Sequence, residues 1–300
     1  MKIIITGAAG MLAYDVCKFL VSRNHTVIKT DINQREHDIE YLDVCKFDSV
    51  SECINKHTPD FIFHFAAETN VDLCEQRPEH AYRTNAMGTE NVVLAASRHN
   101  IPLLYISTGL VFRGDNPDPY TEFDNPDPIN VYAKSKYEGE KIVKDTLSRY
   151  FILRAGWMIG GLELDKKFVF KILGQLKDKK KEIFAVNDKF GSPTFTFDFA
   201  KNILPVISTE RYGLYHMANV GVASRYDIAR EMVHILMLEK DVKITPVHSA
   251  YFPLPAPRGR SEAIVNYKLN ILGLNLMPRW ESSLKKYLKE SLINNGICKR

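Results

Sequence analysis

Residues 2–13 read KIIITGAAGMLA, and this stretch decides the fold class. Ile3-Ile4-Ile5 is apolar and β-branched, which is typical of a strand buried on both faces. The turn Gly7-Ala8-Ala9-Gly10 follows, and the apolar residues after it recur at helical spacing. In this order of strand, glycine turn and helix, backbone N–H groups and the positive end of the helix dipole can bind the pyrophosphate of a dinucleotide. The stretch therefore predicts an α/β protein with a dinucleotide-binding turn.

The glycine turn departs from the usual three-glycine pattern in two ways. Two residues instead of one separate Gly7 from Gly10, and Ala13 stands where the third glycine is expected. Alanine is still small enough for close packing of the helix on the sheet. We expect Gly7, Gly10, Met11 and Leu12 to contact the cofactor. A tight turn that binds no ligand is the alternative interpretation.

Asp31 directly follows a second predicted strand, 25–30. It lies about 20 residues after the glycine turn, where an acid can hydrogen-bond the adenosine ribose of NAD. A carboxylate there repels the extra phosphate of NADP, although Arg35 is close enough in sequence to bind that phosphate. The sequence therefore leaves both NADH and NADPH open as cofactors.

Other candidate cofactor contacts lie farther along the chain. Asp43 and Val44 precede a predicted helix over 48–56. Ala66 and Ala67 end a third strand predicted over 60–67, and residues this small let a cofactor approach the backbone. Asn85 lies on a long helix predicted over 77–99, where we expect it to position the cofactor and the backbone.

Strands and helices alternate through the first half of the chain, which predicts a Rossmann-type α/β fold with a doubly wound parallel sheet and right-handed crossovers. A fourth strand, 102–106, delivers Thr108 to the sheet edge where ligands bind in such folds. After about residue 160 the alternation becomes irregular. We predict an NAD(P)-binding domain over 1–160, and a smaller lobe over 161–300 that is mainly substrate-binding and returns some segments to the first domain.

Tyr132 and Lys136 are four residues apart on a predicted helix, so their side chains lie on the same face. A phenol titrates near pH 10 in water, and a neighbouring cation would lower that pKa. The pair could therefore deliver a proton. Such a spacing is common by chance, and its significance depends on the glycine turn and Thr108 upstream.

The composition excludes several classes of protein. The 300 residues are 45% hydrophobic and 25% charged, with a formal net charge of +4 spread along the chain, so we expect no nucleic-acid partner. The five cysteines lack the close spacing of metal or redox pairs, and we expect reduced thiols and no metal site. No apolar run approaches ~18 residues, so we expect a cytoplasmic protein without membrane contact.

Taken together, the motifs resemble the extended short-chain dehydrogenase/reductase superfamily and, within it, the dTDP-4-dehydrorhamnose reductases. The resemblance covers nearly the whole chain. The matching residues are Ala66-Ala67 with Asn70-Val71-Asp72 and Glu75, Ser107-Thr108 with Val111-Phe112, Asn130-Val131-Tyr132 with Lys136, Gly139 and Glu140, Arg154 with Trp157, Asp188 to Thr194, Gly213 to His216, and Pro255 to Arg258.

The resemblance implies that NADPH or NADH reduces the C4 ketone of a nucleotide-linked 4-keto-6-deoxyhexose. Thr108, Tyr132 and Lys136 would be catalytic, with Tyr132 as the proton donor. Tyr132 and Lys136 would also contact the cofactor. The substrate would contact Thr108 and three further residues: Val71, Trp157 and Arg258. The family also suggests a homodimer.

Two departures from the family pattern bear on the identity of the sugar. Gly109-Leu110 stands where Asp-Tyr usually follows the catalytic threonine, and Gly259 follows Arg258 where proline is more usual. A dehydratase would carry an Asp-Glu pair after Thr108, which this chain lacks. A sugar-nucleotide epimerase stays open. So does a non-catalytic NAD(P)-binding subunit resembling the methionine adenosyltransferase regulatory subunit.

Overall fold

The computed structural model describes the backbone of residues 1–294 and their side chains except those of residues 163 and 292–294. The strands are β1 (Lys2–Thr6), β2 (Thr26–Asp31), β3 (Ile39–Tyr41), β4 (Phe61–His64), β5 (Leu103–Thr108), β6 (Tyr150–Ala155), β7 (Trp157–Ile159), β8 (Glu182–Val186), β9 (Phe190–Gly191), β10 (Pro193–Phe195), β11 (Gly213–His216), β12 (Ala223–Ser224) and β13 (Lys243–Val247). The helices are α1 (Met11–Ser22), α2 (Phe47–His57), α3 (Val71–Gln76), α4 (Pro78–Tyr82), α5 (Gly88–Arg98), α6 (Val131–Thr146), α7 (Phe168–Lys177), α8 (Thr196–Ile207), α9 (Arg225–Ile235), α10 (Tyr267–Ile271) and α11 (Trp280–Asn294).

Seven strands form the main sheet in the order β3-β2-β1-β4-β5-β6-β11. Every neighbouring pair in this sheet is parallel. The order of the first six strands is that of a dinucleotide-binding doubly wound sheet, in which β1 lies where the strand order reverses. The predicted Rossmann-type α/β fold is confirmed.

The triplet Ile3-Ile4-Ile5 explains why helices cover both faces of the sheet. Alternate side chains of a strand point to opposite faces. Ile3 and Ile5 pack in one buried cluster with side chains of α1 and α8, whereas Ile4 packs in a second cluster with side chains of α2, α5 and α6. A strand that is apolar on both faces therefore requires a layer of helices on each side.

The second half of the chain builds a separate apolar cluster from α7, β8, α9 and α11. The parallel pair β8 and β13 lies beside it. Two segments from this half return to the first half of the chain: β11 joins the main sheet beside β6, and α8 packs against α1. The division into domains at residue 160 stays a prediction.

Two predicted elements differ in the structure. The helix predicted over 77–99 is divided into α4 and α5 by a π-helical turn at Arg83–Met87, which contains Asn85. The strand predicted over 60–67 ends at His64, so Ala66 and Ala67 lie in the following loop. The chain leaves the sheet there because the backbone of Phe65 and Ala66 packs under the glycine turn.

The cysteines at positions 17, 45, 53 and 74 are free thiols, and Cys298 lies outside the described residues. No helix within residues 1–294 is long and apolar enough to cross a membrane. In the same part of the chain, no group of three or more His, Cys, Asp or Glu side chains is arranged to hold a metal ion.

Candidate active site

The glycine turn lies at the carboxyl end of β1, against the loop that follows β4. Gly7 has φ +73°, and a Cβ at this position would lie 2.6 Å from the Ala66 nitrogen. Only glycine fits such a close approach in this backbone conformation. The Gly10 N–H donates to the Gly7 carbonyl at 3.0 Å, and Gly10 precedes the first residue of α1. The turn therefore holds the amino end of α1 at the edge of the sheet.

Met11 and Leu12 differ in what they can offer a cofactor. Leu12 is buried in the apolar cluster beneath the sheet, so only its backbone could contact a ligand. Met11 lies against Gly161, where a Cβ would be 2.7 Å from the Met11 Cγ. Met11 is thus at the boundary between the glycine turn and the start of the second half of the chain.

Asp31 is joined to the glycine turn by hydrogen bonds. One carboxylate oxygen accepts the Ala9 N–H at 3.0 Å, and the other accepts the Asn33 N–H at 2.8 Å. Arg35, the candidate partner for the NADP phosphate, lies 3.6 Å from the Glu36 carboxylate. Asp31 is therefore at the expected edge of the sheet, and its contact with a ribose stays a prediction.

Asp43 and Val44 follow β3 on the α5 side of the sheet. The Asp43 carboxylate accepts the Cys45 N–H at 3.0 Å, which shapes this loop. Val44 is buried against Gly88, where a Cβ would lie 2.9 Å from the Val44 Cγ2. The Val44 side chain is a core contact, and only its backbone remains for a cofactor.

Asn85 joins three parts of the site. Its Oδ1 accepts the Glu68 N–H at 2.8 Å, while its Nδ2 donates to the Glu68 carbonyl at 3.1 Å and to the Ser135 hydroxyl at 3.0 Å. The Ser135 hydroxyl in turn donates to the Tyr132 carbonyl at 2.8 Å. The π-helical turn thus connects the loop after β4 to the first turn of α6.

Thr108 and Tyr132 meet at the carboxyl end of β5. Thr108 ends the strand, and its hydroxyl makes a hydrogen bond with the Tyr132 hydroxyl. Asn130 caps α6, because its Oδ1 accepts the Ala133 N–H at 2.9 Å. Lys136 lies one turn further along α6 and is buried. The predicted catalytic residues therefore lie at one place in the fold.

The pKa values of this group differ from the sequence-based expectation. Burial raises the pKa of Tyr132 above its usual value of 10, and the Thr108 hydrogen bond opposes part of that rise. Burial lowers the pKa of Lys136 to about 7. The expected lowering of the Tyr132 pKa by Lys136 is therefore wrong for this structure, because desolvation dominates at both groups.

A buried ion pair holds β5, α6 and β6 together behind the site. The Arg154 guanidinium donates to both oxygens of Glu140, at 2.8 and 2.7 Å. The Ser107 hydroxyl donates to the same carboxylate at 2.6 Å. Glu140 and Arg154 are both buried, so this bidentate pair is fully desolvated and fixes the strand that ends in Thr108.

The candidate substrate residues Val71, Trp157 and Arg258 come from three separate elements and are all half-buried. Val71 begins α3 and Trp157 begins β7. Arg258 donates from Nη1 to the Asp72 carboxylate at 3.0 Å and to the Ala256 carbonyl at 2.8 Å. Part of the Arg258 guanidinium is thus already occupied by protein acceptors.

Two residues that the sequence did not indicate, Arg225 and Glu262, lie in the same region. The Arg225 guanidinium lies 3.7 Å from the centre of the Trp157 ring. Glu262 makes a side-chain hydrogen bond with Trp157 and interacts electrostatically with Arg225 and Arg258. A Cβ at Gly109 would lie 2.9 Å from the Glu262 carbonyl oxygen. The unusual glycine at position 109 was the one local signal of this arrangement.

The residues present fit a nicotinamide dinucleotide at two points. Gly7 leaves its turn without a side chain where the backbone must approach closely. The Lys136 Nζ is buried and has no hydrogen-bond partner within the described part of the chain. A ribose hydroxyl is the kind of acceptor that would satisfy it.

The sheet order, the glycine turn and the Thr108, Tyr132 and Lys136 set define a Rossmann-type protein of the short-chain dehydrogenase/reductase kind. The chain belongs to the family described as the RmlD substrate binding domain, whose model matches residues 1–293.

Individual relatives agree with this assignment. The dTDP-4-dehydrorhamnose reductase structure from Yersinia enterocolitica is 39% identical, with a TM-score of 0.88 over 97% of this chain and 99% of that one. The Bacillus anthracis dTDP-4-dehydrorhamnose reductase, solved in complex with NADP, is 34% identical, with a TM-score of 0.89 over 96% and 99% of the two chains. The spore coat polysaccharide biosynthesis protein SpsK of Bacillus subtilis is 30% identical over 96% and 97%. The resemblance drawn from the sequence is confirmed.

Proposed function

We propose that this chain reduces the C4 ketone of a dTDP-linked 4-keto-6-deoxyhexose with NADPH or NADH. The observation that carries the proposal is the contact of Thr108 with Tyr132 at the carboxyl end of β5, on the same sheet edge as the glycine turn. Family membership supports it, because relatives over nearly the full chain are named dTDP-4-dehydrorhamnose reductase.

Tyr132 is the proton donor in this proposal. The bound dihydronicotinamide would supply the hydride to the ketone carbon. The pKa of Tyr132, raised by burial, keeps the phenol protonated at neutral pH. Tyr132 can therefore donate its proton as negative charge develops on the ketone oxygen. The Thr108 hydroxyl is hydrogen-bonded to the same phenol and can bind that oxygen as well.

Lys136 and the glycine turn would hold the cofactor. The Lys136 Nζ would donate to a ribose hydroxyl, and a protonated Lys136 would favour the tyrosinate left after proton transfer. Gly7, Gly10 and the backbone of Met11 would face the pyrophosphate. On the substrate side, Val71, Trp157 and Arg258 would line the sugar nucleotide, with the Arg258 guanidinium toward the diphosphate.

The choice between NADH and NADPH rests on Asp31. Both of its oxygens accept backbone N–H groups, which leaves further lone pairs for ribose hydroxyls. Arg35 supports use of NADPH, because its ion partner Glu36 is partly exposed and can be displaced by a phosphate. Initial rates measured with each cofactor at the same concentration, below its KM, give the ratio of kcat/KM for NADH to kcat/KM for NADPH.

We further propose a cytoplasmic homodimer. The family suggests the dimer, and the free thiols at positions 17, 45, 53 and 74 suit a reducing compartment. Light scattering on the purified chain tests the dimer, and fractionation of the source cells tests the location. A monomer at micromolar concentration would overturn the assembly without affecting the reaction.

The proposed reaction is tested by mixing the chain with NADH or NADPH and dTDP-4-keto-6-deoxyhexose and following the nicotinamide absorbance. We expect oxidation of the cofactor and a Tyr132→Phe variant with kcat lowered about 10²–10⁴-fold and cofactor affinity retained. The matched control is Tyr137→Phe, a half-buried tyrosine on the same helix that packs against a cluster including Phe112. It should keep full activity.

Three outcomes contradict the reductase. Interconversion of two sugar nucleotides without net cofactor oxidation would indicate an epimerase. Tight cofactor binding without turnover of any ketosugar would indicate a regulatory subunit. Equal loss of cofactor binding and activity in Tyr132→Phe would give Tyr132 a structural role.

A further inference from the structure

Gly109 determines how closely a distant segment approaches Thr108. A Cβ at position 109 would lie 2.9 Å from the Glu262 carbonyl oxygen and 3.2 Å from the Ile264 Cγ2. Real Cβ atoms do not approach backbone oxygens this closely without a shift. The absence of a side chain at 109 therefore admits residues 262–264 to the end of β5, beside Thr108.

The segment that carries Glu262 is held by backbone hydrogen bonds on both sides. The Ser261 N–H donates to the Gly114 carbonyl at 2.9 Å, and the Glu262 N–H donates to the Phe190 carbonyl at 2.9 Å. Two residues on, the Ile264 N–H donates to the Ser192 hydroxyl at 3.1 Å. Glu262 thus projects from a fixed backbone, as a binding residue requires.

The Glu262 carboxylate faces the candidate substrate residues. It hydrogen-bonds Trp157 and interacts with the cations Arg225 and Arg258. Its charge also contributes to the raised pKa of Tyr132, behind the larger effect of burial, so the Glu262 carboxylate is close enough to interact with the Tyr132 phenol. A third cation, Lys167, acts on the Glu262 carboxylate in the same direction as the two arginines.

Arg225 packs against Trp157, the indole that Glu262 hydrogen-bonds. Its guanidinium stacks on Trp157 and lies 5.1 Å from the centre of the Phe168 ring. Planar stacking of this kind fixes the orientation of both the indole and the guanidinium. Gly191 also packs directly against Trp157, because a side chain at Gly191 would overlap the indole ring.

We propose that Glu262 is a substrate-contacting residue whose carboxylate accepts hydrogen bonds from the hexose hydroxyl groups. A carboxylate offers about four acceptor sites, and Trp157 uses one of them. Hydroxyl donors suit the remaining sites, and a pocket built around such an acceptor discriminates strongly against sugars that lack the matching hydroxyl. The inference rests on the proposed function, since it places a sugar nucleotide beside Tyr132.

The test compares the affinity of the chain for dTDP-rhamnose with its affinity for dTDP alone, by calorimetry without turnover. We expect the wild type to bind dTDP-rhamnose more tightly than dTDP. Glu262→Gln should lose about tenfold in dTDP-rhamnose affinity while its dTDP affinity stays unchanged, which corresponds to about 1.4 kcal/mol. The matched control is Glu239→Gln, an exposed carboxylate paired with His234, which should bind both ligands like the wild type.

Gly109→Ala is the second variant, and it keeps the Glu262 side chain. Its Cβ must displace the Glu262 carbonyl, so it should also lose dTDP-rhamnose affinity selectively. If Glu262→Gln does not fold, Gly109→Ala alone tests the proposal. Equal losses for dTDP and dTDP-rhamnose, or no loss in either variant, would overturn the proposal. Because binding is measured without turnover, the result is independent of whether the ketosugar assay succeeds.

Discussion

The Lys136 Nζ lies 4.0 Å from the centre of the Tyr105 ring, and the Tyr105 hydroxyl donates to the Lys136 carbonyl at 3.1 Å. This cation–π contact and the charge of Glu140 offset part of the cost of burying the amine, whose Nζ has no hydrogen-bond partner within the described residues. The tyrosine at the sheet centre thus holds Lys136 in place while leaving its hydrogen-bonding capacity free. Burial lowers the pKa of Lys136 to about 7.

Replacing Lys136 by methionine should stabilise the folded chain at low pH. In the unfolded chain the lysine pKa is 10.5. Below pH 7 both states are protonated and the cost of burying the charge is fully present. Between pH 7 and 10.5 the folded state loses its proton first, and the cost shrinks as pH rises. We expect Lys136→Met to gain about 1–3 kcal/mol at pH 6 and less at pH 9.

Urea unfolding at the two pH values measures the effect of Lys136→Met, with Lys134→Met as the control. Lys134 is exposed on the same helix, so its replacement should change stability by less than about 0.5 kcal/mol. A stability gain for Lys136→Met that grows between pH 6 and 9 would contradict the burial argument.

Adding one methyl group at Gly7 should destabilise the fold and weaken cofactor binding. The Gly7→Ala methyl would meet the Ala66 nitrogen at 2.6 Å in a backbone with φ +73°. We expect a loss of about 1–3 kcal/mol in the free energy of unfolding. Gly174→Ala, inside α7, is the opposite case, because among the described residues no atom outside its chain neighbours and its own helix backbone lies within 4 Å of the Cβ position. Gly174→Ala should gain about 0.5–1 kcal/mol in the free energy of unfolding. If both variants are stabilised, or both destabilised, the close approach at Gly7 does not determine the effect.

Breaking the buried ion pair behind the site should cost far more than breaking an exposed pair on the same helix. Glu140→Gln leaves the buried Arg154 charge uncompensated, and we expect a loss of about 3–5 kcal/mol. Glu138→Gln removes the partly exposed pair with Lys141 and should cost less than about 1 kcal/mol. Denaturant unfolding of both variants measures these losses. Similar losses of stability would show that burial does not increase the contribution of the Glu140 pair.

Removing the Thr108 hydroxyl should impair proton transfer. Thr108→Val loses the hydrogen bond to Tyr132, and we expect kcat for the ketosugar to fall about 10²–10³-fold. Thr108→Ser keeps the hydroxyl and should recover most of this loss. Cofactor titration by fluorescence should give similar affinities for both variants. If serine fails to restore kcat, the methyl group of Thr108 matters more than its hydroxyl.

Several features could be predicted from the sequence because they depend on neighbouring residues. The apolar triplet Ile3-Ile4-Ile5, the glycine turn after it, and the four-residue spacing of Tyr132 and Lys136 are local patterns. Each follows from strand or helix periodicity. Motifs of the reductase family then identified Thr108, and the structure places it against Tyr132.

Other features depend on contacts between residues far apart in the chain, and only the tertiary structure decided them. Burial of Tyr132 raises its pKa, against the direction expected from the neighbouring Lys136, because the spacing of two residues does not show how far either is desolvated. From the sequence, Gly109 shows only that no side chain follows Thr108. The folded chain gives the reason, because it brings the Glu262 carbonyl to the position that a side chain at 109 would occupy.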